Sequence, residues 1–186
     1  MKERKNKGYT LIELVMAMVL IAIISYIVSM LLYSGVTGYF TRLDRIKAFS
    51  QGRTAMERMV REIRTASNIT NATEYQICFT NTPDGLNISY RYSGISKSIV
   101  REDNYAACPG SAGYPLATGI EQLYSAPFVN GIFAYSMINN SITQTPAPLT
   151  DIRRVMIGIS AQSNVGGTNQ SVVLRSDAYL RNTENQ

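Results

Sequence analysis

Residues 5–33 of the chain read K-N-K-G-Y-T-L-I-E-L-V-M-A-M-V-L-I-A-I-I-S-Y-I-V-S-M-L-L-Y. The stretch begins with basic side chains, passes a glycine, and continues as an apolar run with one carboxylate, Glu13, near its start. A helix that spans a bilayer needs about 20 apolar residues, because a rise of ~1.5 Å per residue then covers ~30 Å of hydrocarbon. Residues 14–33 supply that length. The sequence therefore predicts one membrane-spanning helix at the start of the chain.

Charges ahead of the apolar run predict its orientation. The residues before Gly8 include one acid and four bases, namely Lys2, Arg4, Lys5 and Lys7. The positive-inside rule places such a flank in the cytoplasm, so the remainder of the chain is expected to be exported. A cleaved secretory signal is the alternative, but its apolar core is about 7 to 15 residues long and ends at a small-residue cleavage site. The run here is longer, and no A-x-A-like triplet follows it.

Glu13 is the residue that a simple anchor does not explain. A carboxylate in a spanning helix costs up to ~2.5–3.5 kcal/mol at the bilayer centre, and such residues usually have a partner and a function. The intact chain offers no obvious partner. If the chain is cut after Gly8, however, Tyr9 becomes the first residue, and its α-amino group is a cation at neutral pH. Glu13 is then the fifth residue of the shortened chain, close in sequence to the new positive charge.

The motif G-Y-T-L-I-E-L at residues 8–14, with a short basic leader before it and an apolar helix after it, resembles the class III signal of type IV prepilins and type II secretion pseudopilins. The resemblance implies that a prepilin peptidase and methyltransferase cuts between Gly8 and Tyr9 and methylates the new terminus. It also implies that Glu13 meets the terminal amine of a neighbouring subunit during assembly. Tyr9 stands where phenylalanine is commoner. Met30 stands where many major pilins carry a helix-kinking proline, so this subunit need not share their curvature.

Beyond Tyr33 the apolar residues recur at three- and four-residue steps, which predicts an amphipathic continuation of one helix from about residue 9 to residue 66. Two pairs, Glu57 with Arg61 and Arg58 with Glu62, are expected to add ~0.2–0.5 kcal/mol each. Three glycines at positions 35, 38 and 52 oppose the helix at ~1 kcal/mol apiece, and the helix is expected to be loosened around the first two. A heptad dimer is the alternative for the apolar stripe, but the pattern breaks near residues 50–53.

A second motif, R-T-A-M-E-R-M-V-R-E-I-R-T-A, occupies residues 53–66. It is similar to the helix end of W-type minor pilins, of the O-type minor pilins of mannose-sensitive haemagglutinin systems, and of J-type pseudopilins. The resemblance covers only the first third of the chain, and the remainder is interpreted from its pattern alone.

The rest of the chain predicts strands. Residues 68–73 are polar turn and cap residues that end the helix, and residues 104–127 read as a long loop with a helical turn at 120–124. Alternating apolar residues predict strands at 75–79, 86–92, 96–101, 128–138, around 155–159 and at 171–179, with a loop at 139–150. The expected fold is α+β, with the helix laid across an antiparallel sheet. The expected parts are a leader (1–8), a transmembrane half (9–33) and an amphipathic half (34–67) of the helix, and a β-sheet globular domain (68–186).

Cys78 and Cys108 are the two cysteines of the chain. In an exported, oxidising setting an even pair predicts a disulfide, which would stabilise the domain by ~3.6 kcal/mol in the chain-entropy model. Two unpaired thiols remain the alternative, since Cys78 also fits a core position.

The composition argues against catalysis and metal binding. The chain has no histidine, which is the usual proton shuttle and metal ligand, and it carries no P-loop, G-x-S-x-G or H-E-x-x-H motif. No cofactor and no zinc site are expected. The acidic turn at residues 102–104 has calcium-type oxygen ligands, but a solvated turn is the simpler interpretation.

The net charge of +5 is concentrated in the leader: without residues 1–8 the chain keeps 14 basic and 12 acidic side chains, a net charge of +2. Nucleic acid is therefore not an expected partner, although tyrosine with arginine could stack on single-stranded DNA in a competence-type pilus.

The expectation is a minor pilin-like structural subunit, held in the inner membrane with its C-terminal domain in the periplasm and then drawn into a filament. The expected partners are the prepilin peptidase, other pilin or pseudopilin subunits through the N-terminal helix, an inner-membrane assembly platform and the lipid bilayer. A J-type subunit of a type II secretion system is the alternative. Further alternatives are an adhesive or DNA-binding tip subunit and an anchored domain that never polymerises.

Overall fold

The computed structural model describes residues 9–82, 84–104, 108, 113–146, 148–165 and 168–180. The chain divides into two compact units, Met1–Arg42 and Leu43–Gln186. The first unit contributes the N-terminal part of a single long helix. The second contains the end of that helix and all of the strands that follow.

Helix α1 spans Leu11–Arg64, close to the predicted residues 9–66. The helix continues through Gly35 and Gly38, and a Cβ at either position would meet nothing within 4 Å. Nearby, Thr37 Oγ1 donates to the Tyr33 carbonyl at 2.9 Å and Thr41 Oγ1 donates to the Thr37 carbonyl at 2.8 Å. These side chains bond back to the preceding turn without ending the helix.

Ten strands follow the helix in the described part of the chain: β1 (Ala66–Ala72), β2 (Gln76–Asn81), β3 (Asn87–Ser93), β4 (Ser98–Asp103), β5 (Tyr114–Thr118), β6 (Ile120–Gln122), β7 (Phe133–Met137), β8 (Ile142–Thr143), β9 (Ile152–Val165) and β10 (Thr168–Tyr179). A 3-10 turn, Leu149–Asp151, precedes β9. Every pairing between these strands is antiparallel, as predicted.

The strands form two sheets, where the sequence predicted one. The first sheet has the order β1-β2-β3-β4-β5 and follows the chain. The second has the order β10-β9-β7-β8, with β6 also paired to β9. Strand β9 pairs with β10 along one edge. Along its other edge it pairs with β7 over its first part and with β6 over its later part.

Three segments predicted as turns or loops contain strands instead: residues 68–73 overlap β1, residues 104–127 contain β5 and β6, and residues 139–150 contain β8. Residues 68–73, expected to be a polar turn, belong largely to β1, which pairs with β2 through two register shifts. Because β1 is an edge strand whose buried positions are its end residues Ala66 and Ala72, polar side chains are tolerated between them. The predicted helical turn at residues 120–124 is wrong, because residues 120–122 form β6 and Ile120 pairs with Ala161.

Gly131 explains why the strand predicted at residues 128–138 is shorter. Gly131 has a φ of +74°, which a strand does not adopt and which favours glycine. A Cβ at this position would overlap the backbone carbonyl of Glu74. The chain therefore turns at Gly131, and β7 begins only at Phe133.

The larger of two apolar clusters lies between the end of the helix and the two sheets. It contains the buried helix residues Ala55, Met56, Met59 and Ile63 together with buried residues from both sheets, among them Ile77, Phe79, Tyr90, Ile99, Phe133, Tyr135, Ile157 and Ile159. Tyr135 Oη also donates to the Thr73 carbonyl at 2.9 Å, which joins the second sheet to the end of β1. The apolar stripe of the helix end is thus buried against its own chain.

Candidate functional site: the N-terminal segment and the helix end

The start of α1 is organised by Thr10 and Glu13. The Thr10 carbonyl accepts hydrogen bonds from the backbone N–H groups of Glu13 at 3.1 Å and of Leu14 at 3.3 Å. Thr10 Oγ1 lies 3.4 Å from the Glu13 nitrogen, so Thr10 occupies the N-cap position. The spacing T-x-x-E is that of a capping box, so the start of the helix at this position is also encoded in the local sequence. Tyr9 lies just outside the helix and is 84% exposed.

Glu13 is the acidic residue of the first helical turn. A carboxylate in this position is favoured by the positive end of the helix dipole, by about 0.3–1 kcal/mol at an exposed site. The Glu13 side chain is exposed, and among the described residues it has no ion-pair partner. Gly8, the predicted last residue of the leader, lies outside the described residues.

The apolar run after Glu13 is presented outward. All residues from 9 to 40 are exposed, and α1 contains a window long and apolar enough to cross a membrane. Exposed apolar side chains over a length of about 20 residues match a hydrocarbon environment. By its length and composition, the helix can therefore cross a membrane and anchor the chain there.

Residues 53–66, the second motif, contain a polar cluster that fastens the helix end to the first sheet. The Glu62 carboxylate accepts hydrogen bonds from Tyr90 Oη at 2.6 Å, from Arg101 Nε at 2.9 Å and from Arg58 Nε at 3.0 Å. Tyr90 lies on β3 and Arg101 on β4, so one carboxylate ties three elements together. Arg101 also pairs with Asp103.

Burial and hydrogen bonding act in opposite directions on Glu62. Burial disfavours its charged form, but the hydrogen bonds from Tyr90, Arg101 and Arg58 outweigh that effect, and the pKa of Glu62 lies below its usual value. Burial, followed by the hydrogen bond to Glu62, raises the pKa of Tyr90. The cluster therefore holds an ionised Glu62 beside a neutral Tyr90.

One of the two predicted ion pairs of the helix is present. Arg58 and Glu62 pair as expected, whereas the predicted pair between Glu57 and Arg61 is wrong. Glu57 instead pairs with Arg53 at 2.8 Å, and both side chains are 65% exposed. Each alternative is an i,i+4 pair of similar strength, so sequence spacing alone does not select between them.

Cys78 and Cys108 are joined in a disulfide with a Cα–Cα distance of 6.5 Å. The bond ties β2 to the segment between β4 and β5. Within the described residues, no group of three or more His, Cys, Asp or Glu side chains could hold a metal ion. Asp103 is engaged by Arg101.

Comparison with known families is consistent with this geometry. Residues 4–29 match the family model described as the prokaryotic N-terminal methylation motif. No curated protein matches the chain. The match supports a class III signal and a precursor of the type IV pilin or pseudopilin kind, which indicates a structural subunit processed by a peptidase and assembled with other pilins. A long N-terminal helix whose end packs against antiparallel sheets is consistent with a type IV pilin fold.

Proposed function

We propose that this precursor becomes a minor pilin-like subunit, which a prepilin peptidase cuts between Gly8 and Tyr9 and which then assembles into, or primes, a type IV pilus filament. The observation that carries the proposal is the methylation motif at residues 4–29 placed directly on a capped, outward-facing apolar helix. In this proposal residues 1–8 are the leader, 9–33 the transmembrane half of the helix, 34–67 its amphipathic half, and 68–186 the globular domain.

Cleavage and assembly are linked through charge in this proposal. The basic leader holds the N-terminus in the cytoplasm and sends the sheet domain to the periplasm. Removal of the leader creates a cationic amine at Tyr9, outside the capped first turn that holds Glu13. When subunits leave the bilayer and pack helix against helix, Glu13 of one subunit pairs with the Tyr9 amine of its neighbour. Because an unpaired charge in an apolar bundle is costly, that pairing sets the axial register.

A J-type subunit of a type II secretion system is the second candidate. The similarity of residues 53–66 to W-type, O-type and J-type helix ends favours a minor subunit but is shared by the pilus and secretion families. The adjacent genes discriminate between the two: a retraction ATPase indicates a pilus, whereas an outer-membrane secretin is common to both systems.

Substitution of Glu13 tests the assembly role. We expect Glu13→Ala and Glu13→Gln each to reduce incorporation into sheared filaments at least about tenfold, because removing one partner of a buried ion pair costs about 3–5 kcal/mol. Processing at Gly8 and the amount of protein in the membrane serve as internal controls. Asp84→Ala, at an exposed acid in the turn before β3, is the matched control and should assemble normally. Wild-type incorporation of Glu13→Gln would refute the register-setting role of the charge.

A further inference from the structure

A groove of about 600 Å³ lies between the last part of α1 and strand β10, within the second unit. Its apolar lining comes from Phe49, Met56 and Val60 of the helix and from Leu174 of the strand. Arg61 and Arg64 line it near the end of the helix. Neither the membrane anchor nor the Glu62 cluster accounts for this surface, since Glu62 contacts the first sheet and the groove borders the second.

Among the described residues, strand β10 is an edge strand of the second sheet, and its unpaired edge borders this groove. Its described pairings are all with β9, through the whole length from Thr168 to Tyr179. Leu174, Arg175 and Ser176 are consecutive and all line the groove. Because successive side chains of a strand point to opposite faces, three consecutive lining residues indicate that the strand edge itself borders the groove. Such an edge accepts an added strand, with main-chain hydrogen bonds supplying affinity and side-chain pockets supplying specificity.

The charge of the groove defines its partner further. Glu57, its acidic lining residue, is paired with Arg53. Arg61 and Arg64 are exposed and have no carboxylate partner among the residues that the structure describes. A complementary segment therefore needs carboxylates at this end and apolar side chains over Met56, Val60 and Leu174.

We propose that the groove receives an extended, acidic and apolar segment of another filament subunit, which pairs with the free edge of β10 and places a carboxylate against Arg61 and Arg64. The inference rests on the proposed function only in that the partner is a filament subunit. It goes beyond that function by assigning a second subunit contact, in the globular domain and independent of Tyr9 and Glu13.

The test is photo-crosslinking of the full-length protein in cells that assemble the filament. p-Benzoylphenylalanine replaces Phe49, an exposed aromatic residue that lines the groove, so that the Arg53–Glu57 pair is kept. In a parallel strain it replaces Asp84, which lies outside the groove. Crosslinked peptides from sheared filaments are sequenced by mass spectrometry. We expect the Phe49 position, and not the Asp84 position, to crosslink to a carboxylate-containing segment of another filament subunit.

Charge variants then distinguish a specific contact from a crosslink that reflects only proximity. Arg61→Glu with Arg64→Glu should reduce the crosslink at least about tenfold, and Arg61→Gln with Arg64→Gln, which perturbs the helix end less, should reduce it severalfold. Replacing the carboxylates of the mapped segment by lysine should restore the crosslink to the Arg-to-Glu variant. The matched control, Arg91→Glu with Arg153→Glu, alters two arginines elsewhere in the second unit and should leave the crosslink unchanged.

The outcomes that overturn the inference are distinct from failure of the proposed function. Crosslinks confined to residues 181–186 of the same chain, crosslinks only to lipid, or no crosslink from a subunit that does enter filaments would each exclude the groove contact while leaving the pilin role intact. A crosslink unaffected by the arginine changes would exclude the charge complementarity. If the protein never enters a filament, the proposed function fails, and the groove inference fails with it.

Discussion

At the scale of single residues, Glu62 links the last turns of the helix to the first sheet through donors on three elements. Its side chain is 13% exposed and that of Arg101 is 6% exposed, so the pair is largely screened from water. Removing one partner of such a pair leaves the other charge poorly solvated, which makes the loss larger than the net contribution of the pair.

We expect Glu62→Gln to lower the free energy of unfolding of the sheet domain by about 3 kcal/mol. This is at the low end for a buried pair, because Arg101 retains its ion pair with Asp103 in the variant. Urea unfolding of the full chain in detergent, followed by near-ultraviolet circular dichroism of the tyrosines, measures the change. Glu57→Gln is the matched control. Its pair with Arg53 is exposed, and such pairs contribute about 0–1 kcal/mol.

The stability difference between the wild type and Glu62→Gln should also depend on pH, and the direction of that dependence follows from the pKa of Glu62. The pKa of Glu62 is lower in the folded state than its ordinary value of 4.5, so its stabilising effect is fully present above that pH and is lost as the pH falls through the folded value. The stability difference between the wild type and Glu62→Gln should therefore shrink on acidification below pH 4.5. A difference that stays constant down to pH 2 would show that the charge of Glu62 does not stabilise the domain.

Gly131 is the second residue on which the fold depends. We expect Gly131→Ala to lower the free energy of unfolding by more than about 2 kcal/mol, because it combines a positive φ with overlap of the new methyl group and the Glu74 carbonyl. Gly85→Ala isolates the first effect, since Gly85 has a φ of +65° and open space around it, and it should cost only about 1 kcal/mol. Equal losses in the two variants would show that the contact with Glu74 is unimportant.

At the scale of secondary-structure elements, Gly52 lets the helix approach the second sheet closely. A Cβ there would lie 3.0 Å from Leu174 Cδ1 and 3.5 Å from Ala161 Cβ, and Gly52 is buried. The sequence predicted this glycine only as a weak point of the helix. The structure gives it a packing role, which depends on a strand more than a hundred residues later and is therefore not visible in local sequence.

We expect Gly52→Leu to destabilise the domain by about 1–3 kcal/mol through overpacking, although leucine favours a helix by about 0.8 kcal/mol over glycine. Gly35→Leu, in open space, gains the same propensity without the clash and should not lower the stability of the domain. Thermal unfolding of both variants in detergent provides the comparison. Equal melting temperatures for the two variants would contradict a close approach at Gly52.

The elements that sequence reasoning predicted well are those with a strong local pattern. The helix was predicted because an apolar run and an amphipathic stripe meet without a proline, and the strands around Ile77, Tyr90 and Ile157 because apolar residues alternate. Strands β1, β5, β6 and β8 were missed. Strand β1 is polar, β5 lies in a segment rich in proline and glycine, and β6 and β8 are only three and two residues long. The division into two sheets was missed as well, because it depends on which strands pair.

At the scale of the whole molecule, the candidate site was more predictable than the domain that follows it. Glu13 and Tyr9 lie in one short motif whose charge, spacing and apolar context are all local. The Glu62 cluster and the groove beside β10 bring together residues that are far apart in sequence, so only the Arg58 and Glu62 pair could be predicted from spacing. In the proposed filament, the choice of partner should likewise depend on residues of the globular domain that are far apart in sequence.

The central claim is that the chain is a precursor whose leader is removed between Gly8 and Tyr9. Mass spectrometry of the N-terminal peptide, from protein purified out of the membrane and out of sheared filaments of the native host, tests it most directly. We expect the peptide to begin at an N-methylated Tyr9 in the wild type and to retain residues 1–8 in Gly8→Arg. A wild-type chain that retains its leader in assembled filaments, or that is cut beyond the apolar run, would contradict the account.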